Sequence, residues 1–112
     1  MKRLQKYINR QVTLDSLKDE RWLLSLGIEL RYVPDALEEF DEMEFGLGHA
    51  IGKHVIFTLV VVQGKLQRVS LGWIPEEGDE DEMRAFSEPE LNAVLGEKGG
   101  ILARFFEKVT VP

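Results

Sequence analysis

The sequence predicts an α+β fold: a small antiparallel sheet built on a central β-hairpin (about 54–62 and 65–74), with a strand near 28–33 and several short helices packed against it. Three observations carry this. The run VIFTLVVV (Val55–Val62) is followed by QGK and then by LQRVSLGWI, in which Val69, Leu71 and Trp73 alternate with Arg68, Ser70 and Gly72. Ile28, Leu30 and Tyr32 alternate with Glu29 and Arg31, the period of a half-buried strand. Ser87 followed three residues later by Glu90 has the capping-box pattern that opens a helix.

Taken in chain order, Leu4, Tyr7 and Ile8 recur at helical spacing and predict a short amphipathic helix over 2–10, with Lys2, Arg3, Lys6 and Arg10 on its wet side. Asp15 and Ser16 can cap a second helix that runs through Trp22 to Leu26 and stops at Gly27, which takes the left-handed conformation at least cost. Pro34 ends the strand near 28–33. Asp35 and Glu38 form a second capping-box pattern, predicting a helix with Ala36, Phe40 and Met43 inward and its carboxylates on the solvent face.

The first hairpin strand is apolar on both faces, as a central strand is, and the second has a polar face. Two turns compete between them. A two-residue Gln63-Gly64 turn sets Phe57 opposite Ser70 and Val55 opposite Gly72, placing bulky residues over small ones. A type I turn through Val62 and Gln63, with Gly64 left-handed in a bulge, sets Phe57 opposite Val69 and Val55 opposite Leu71 and needs no positive φ at Gln63. The bulged turn is therefore expected. It gathers Val55, Phe57, Leu59, Val69, Leu71 and Trp73 on one face and leaves Ile56 and Val60 on a face covered only in part.

Pro75 closes the hairpin, and GDEDEMRAF reads as a short helix or a loop. Ser87 and Glu90, with Phe86 and Leu91 as a hydrophobic staple, predict a helix over 88–95 stopped by Gly96. After Gly99 and Gly100, the spacing of Ile101, Leu102, Phe105, Phe106 and Val109 predicts a C-terminal helix, and KVTVP can finish as a strand.

At 112 residues, with 44% apolar and 30% charged, the chain is the size and composition of one folded domain with its own core, 1–112, needing no metal or cofactor to fold. The absence of cysteine removes disulfides, thiolate metal sites, thiol nucleophiles and iron–sulfur clusters. MKRLQKYINR is not followed by an apolar segment, so secretion by a signal peptide is not expected, and no apolar run approaches the ~20 residues of a membrane-spanning helix. A cytoplasmic protein is expected.

The net charge of −6 conceals a segregation. Asp35, Glu38, Glu39, Asp41, Glu42 and Glu44 form one run without a base, and Glu76, Glu77, Asp79, Glu80, Asp81 and Glu82 form another. These are twelve of the twenty acids, so the rest of the chain sets eight acids against fourteen bases.

Catalytic and ligand motifs fail on spacing. In GLGHAIGKH, Gly46, Gly48 and Gly52 do not have the dinucleotide spacing. The approach to Lys53 is one residue too long for a phosphate-binding loop, and His54 stands where Ser or Thr should hold magnesium. His49 and His54 are five residues apart, which matches neither one helical face nor one strand face, so they read as a loop histidine and a strand-start histidine. EEGDEDE lacks the ligand order of a calcium loop, with Met83 where a ligand should fall. Carboxylate pairs of the glycosidase kind are uninformative among so many acids, and direct nucleic-acid binding is opposed by both acidic runs.

The sequence thus points to a non-enzymatic regulator or inhibitor that binds a larger, basic, nucleic-acid-handling protein, a role of the kind taken by antitoxins, immunity proteins and phage-encoded or bacterial blockers. Its expected partner-binding residues are Glu38, Asp41, Glu42, Glu44, Glu76, Glu77, Asp79, Glu80, Asp81 and Glu82, with no cofactor, direct nucleic-acid contact or membrane contact. The alternatives are a homo-oligomeric assembly subunit using the hairpin edge and a small enzyme using the Gly-His loop 46–54.

Overall fold

The computed structural model describes residues 2–76 and 82–112. The chain begins with a 3₁₀ helix (Lys2–Tyr7), a short strand β1 (Gln11–Val12), and helices α1 (Leu14–Leu17) and α2 (Glu20–Ser25). Strand β2 (Glu29–Tyr32) and three long strands follow: β3 (Phe40–Ala50), β4 (Lys53–Val62) and β5 (Lys65–Ile74). A short β6 (Arg84–Ala85), a long helix α3 (Glu88–Val109) and β7 (Thr110–Val111) complete the chain. All strands join one curled antiparallel sheet in the order β2-β3-β4-β5-β1-β7, with β6 also on β5, giving the mixed α+β architecture that the sequence predicts.

The alternation of side chains builds the core. Met43, Phe45 and Leu47 of β3, Val55, Phe57, Leu59 and Val61 of β4, and Leu66, Val69 and Leu71 of β5 are buried on one face of the sheet. Helix α3 lays Leu102, Phe105, Phe106 and Val109 into the same cluster. Phe105 meets Phe45 and Phe57 edge-on, each with ring centroids 5.2 Å apart, and Trp22 stacks on it at 6.0 Å. Tyr7 stacks on Phe106 at 5.4 Å and donates its hydroxyl to Glu107 Oε1 at 3.0 Å, which lowers the Glu107 pKa. Aromatic burial of this density dominates the energetics of so small a core.

Five expectations are corrected. Residues 35–44 form no helix: Phe40 begins β3, and Asp41, Met43 and Phe45 point inward at the period of two, so the strand pattern overrides the capping-box pattern at Asp35. Helices 88–95 and 101–109 are one helix passing through Gly96, Gly99 and Gly100, because the buried stripe of Val94, Leu95, Leu102, Phe105 and Phe106 outweighs a glycine cost of about 1 kcal/mol per residue. The N-terminal helix is a short 3₁₀ helix ending at Tyr7. The second predicted helix is two short ones, and the cap that works is Asp19, whose carboxylate accepts from the Trp22 N–H at 3.2 Å. Gly27 then ends α2 with φ +76°, as predicted.

The hairpin register is the fifth correction. Phe57 pairs with Leu71, Val55 with Trp73 and Leu59 with Val69, whereas the bulged turn placed Phe57 on Val69. Gln63 does take a positive φ of 50°, with Gly64 at 78°, giving a two-residue turn whose twist suits the flanking strands. The bulge lies further along, where Val61 pairs with Leu66 and Val60 with Arg68, so Gln67 is the extra residue. A shift relative to the simple two-residue register was needed to gather Val55, Phe57, Leu59, Val69 and Leu71 on one face, and the strand supplies it after the turn.

Candidate binding surface

The outer face of the sheet, opposite α3, is read from the strand register. Rows across β3, β4 and β5 run Glu42–Val60–Arg68, Glu44–Thr58–Ser70, Gly46–Ile56–Gly72 and His49–His54–Ile74, with Phe40–Val62–Lys65 at one end. Beside β3, Tyr32 of β2 pairs with Glu44. Carboxylates therefore occupy the β3 side, aliphatic groups the β4 centre, and Lys65 and Arg68 the β5 side.

At one end of this face the backbone of β6 pairs with Gly72 and Trp73, and the Met83 side chain lies so close over Gly72 that a Cβ there would collide with it and with the Arg84 carbonyl. The other end is open. Phe40 is 58% exposed, and an open depression of about 560 Å³ is lined by Phe40, Val60, Val62, Gln67 and Arg68. An open antiparallel face is ordinarily polar, so the exposed Phe40 and the half-buried Val62 are the departure here, while Val60, which lines the same depression, is itself only 8% exposed. Neither Glu42 nor Arg68 has an ion-pair partner among the described residues.

The predicted acidic residues are placed unequally. Glu38 and Glu42 are exposed. Asp41 is only 8% exposed and accepts from the Glu38 backbone N–H at 2.9 Å, so it clasps the turn into β3. Glu44 accepts from Arg31 Nε at 2.8 Å, Glu76 Oε1 lies 2.9 Å from His49 Nε2, and Glu82 is exposed. Glu77, Asp79, Glu80 and Asp81 lie outside the described residues. β3 enters the sheet at Phe40 and β5 leaves it at Ile74, so the row of Glu42 and the row that precedes Glu76 are roughly 20 Å apart along the strands.

His49 and His54 face each other directly across β3 and β4, their rings stacked with centroids 5.4 Å apart. Spacing arguments missed this pair. A two-residue turn, here Ile51 and Gly52 with φ of 50° and 73°, sets residues i and i+5 opposite, so the signal was the Gly52 turn. Among the described residues no three His, Asp or Glu side chains are grouped to hold a metal ion.

On the inner side of the same end, Lys53 Nζ donates to Glu90 Oε2 at 2.6 Å and sits 4.3 Å from the Trp73 ring centroid. Bonds from Lys53 and from the Ser87 N–H and hydroxyl hold the Glu90 carboxyl at about 2, below its ordinary 4.5. Lys53 thus serves the start of α3. The GLGHAIGKH stretch is the end of β3 with a bulge between Gly46 and Gly48, a tight turn at Ile51 and Gly52, and the start of β4.

No family model, curated protein or solved structure matches the chain. No helix among the described residues is long and apolar enough to cross a membrane.

Proposed function

We propose that this is a non-enzymatic cytoplasmic binding protein that regulates or inhibits a larger protein with a basic, nucleic-acid-handling surface, through its segregated carboxylates. The observation that carries the reading is the charge pattern, twelve of twenty acids in two runs without a base. Exposed Glu38, Glu42, Glu76 and Glu82 present part of that charge to solvent. Carboxylates collected in this way steer a basic partner into encounter and repel nucleic acid itself. Glu42 and the row that precedes Glu76 lie toward opposite ends of the sheet, so the partner is engaged at two separated points.

The test is a pull-down with the tagged chain from its native host at salt of about 0.05 and 0.5 M, where the screening length changes roughly threefold. The expected result is a basic protein retained at low salt and lost at high salt. The same proteins retained at both would contradict the reading.

A second reading, a homo-oligomeric assembly subunit, is favoured by one specific observation, the exposed Phe40 beside Val60 and Val62. It uses the face of the hairpin rather than its edge. β4 is flanked by β3 and β5, and the far side of β5 is met by β1 at Lys65 and by β6 at Gly72 and Trp73.

A further inference from the structure

We propose that a second copy of this chain packs on the open outer face, with a two-fold axis along β4 near Val60, so that Glu42 of each copy meets Arg68 of the other. The inference rests on the second reading above and adds to it the face, the axis and the contacts. Its basis is the row Glu42–Val60–Arg68, in which an acid and a base flank a central valine at the same height along the strands. The acid and the base are two strands apart, roughly 10 Å, and form no ion pair among the described residues.

Rotation by 180° about an axis along β4 exchanges left and right and keeps height. Val60 then lies on Val60, and both Glu42 side chains arrive over Arg68 of the other copy. Phe40 is likewise brought over the Lys65 side, where its ring covers the aliphatic stem of the lysine. An axis lying across the strands would instead stack Glu42 and Glu44 on the carboxylates of the second copy, an arrangement that like charges oppose. The charge pattern therefore selects one of the two in-plane axes. Face-to-face packing of this kind is the ordinary geometry of sheet sandwiches, and an axis tilted about 15° from β4 gives the usual angle of about 30° between the strands of the two sheets.

The contact is small. It covers three strands across and roughly 15–20 Å of their length, short of the ~800 Å² per partner typical of stable complexes, so association belongs at micromolar and higher concentrations.

Sedimentation equilibrium of the full chain at about 10–500 µM tests the proposal, a range set by the weak end of specific interfaces. Wild type is expected to dimerise. Glu42→Arg alone and Arg68→Glu alone each turn two symmetry-related attractions into repulsions and should weaken the dimer at least ~10-fold. An equimolar mixture of the two single variants should form a heterodimer of near wild-type affinity, because every contact across the axis is then Arg on Glu. That rescue cannot come from misfolded chains. A wild-type chain monomeric throughout would overturn self-association and this geometry with it. A dimer indifferent to both reversals, or single variants that stay apart when mixed, would overturn the geometry and leave self-association standing.

Discussion

At the start of α3 the Ser87 hydroxyl accepts from the Glu90 N–H at 3.4 Å while Glu90 Oε1 accepts from the Ser87 N–H at 3.0 Å, and Lys53 reaches the other carboxylate oxygen from β4. Ser87→Ala is expected to cost about 1 kcal/mol in denaturant unfolding, the usual value of an N-cap. Glu90 gives a pH signature. Its folded pKa is depressed to about 2 from 4.5, so its contribution is complete above the ordinary value and fades as pH falls through that interval. The melting temperature of Glu90→Gln should lie below that of wild type at neutral pH, and the gap should close between those two values. A gap independent of pH would mean that the charge is not its source. His49→Ala with His54→Ala should leave fold and partner affinity intact, since both rings lie at the rim of the sheet and the pair has no third ligand among the described residues. Loss of a measurable activity with the fold preserved would restore the loop as a catalytic candidate. The capping box was legible because it is a contact between residues three apart, whereas the histidine pair depends on a turn whose length the spacing argument did not consider.

Among the elements, α3 shows why glycine was an unreliable stop signal. Gly96 and Gly100 have open space where a Cβ would stand, so Gly96→Ala and Gly100→Ala should each stabilise the chain by about 0.5–1 kcal/mol. Gly99 differs. The Arg3 side chain crosses it and donates to the Leu95 carbonyl at 2.7 Å, so a Cβ there must displace the guanidinium. Gly99→Ala should forfeit the gain seen at its neighbours, and equal stabilisation at all three positions would show that the Arg3 contact contributes nothing. β3 was misread for a related reason: in FDEMEFGL the spacing of Phe40 and Met43 also satisfies a helix, and only the partner strand decides for the alternation of Asp41, Met43, Phe45 and Leu47. In the hairpin the in-and-out set was readable from hydrophobicity alone, but the position of the bulge at Gln67 was not, since Gln67 and Arg68 are both polar and either arrangement buries the same residues.

Over the whole molecule, the central strand, the hairpin and the α+β class were legible because β4 is apolar on both faces and no other stretch of the chain is. The proposed binding surface was not. Whether a carboxylate faces solvent, as Glu42 does, or clasps its own backbone, as Asp41 does, depends on strand parity, which the predicted helix over 35–44 obscured. The core and the surface should separate cleanly under mutation. Phe105→Ala removes a ring in contact with Trp22, Phe45, Phe57 and Phe106 and should cost about 3–5 kcal/mol, enough to threaten folding of a domain this small. Exposed carboxylates contribute little to folding and much to association. The most direct measurement of the proposed function is therefore the affinity of the captured partner, at low salt, for wild type and for a chain in which Glu76, Glu77, Asp79, Glu80, Asp81 and Glu82 are all converted to Gln or Asn. The account predicts an unchanged melting temperature with partner binding weakened at least ~10-fold; equal affinity for the two chains would contradict it.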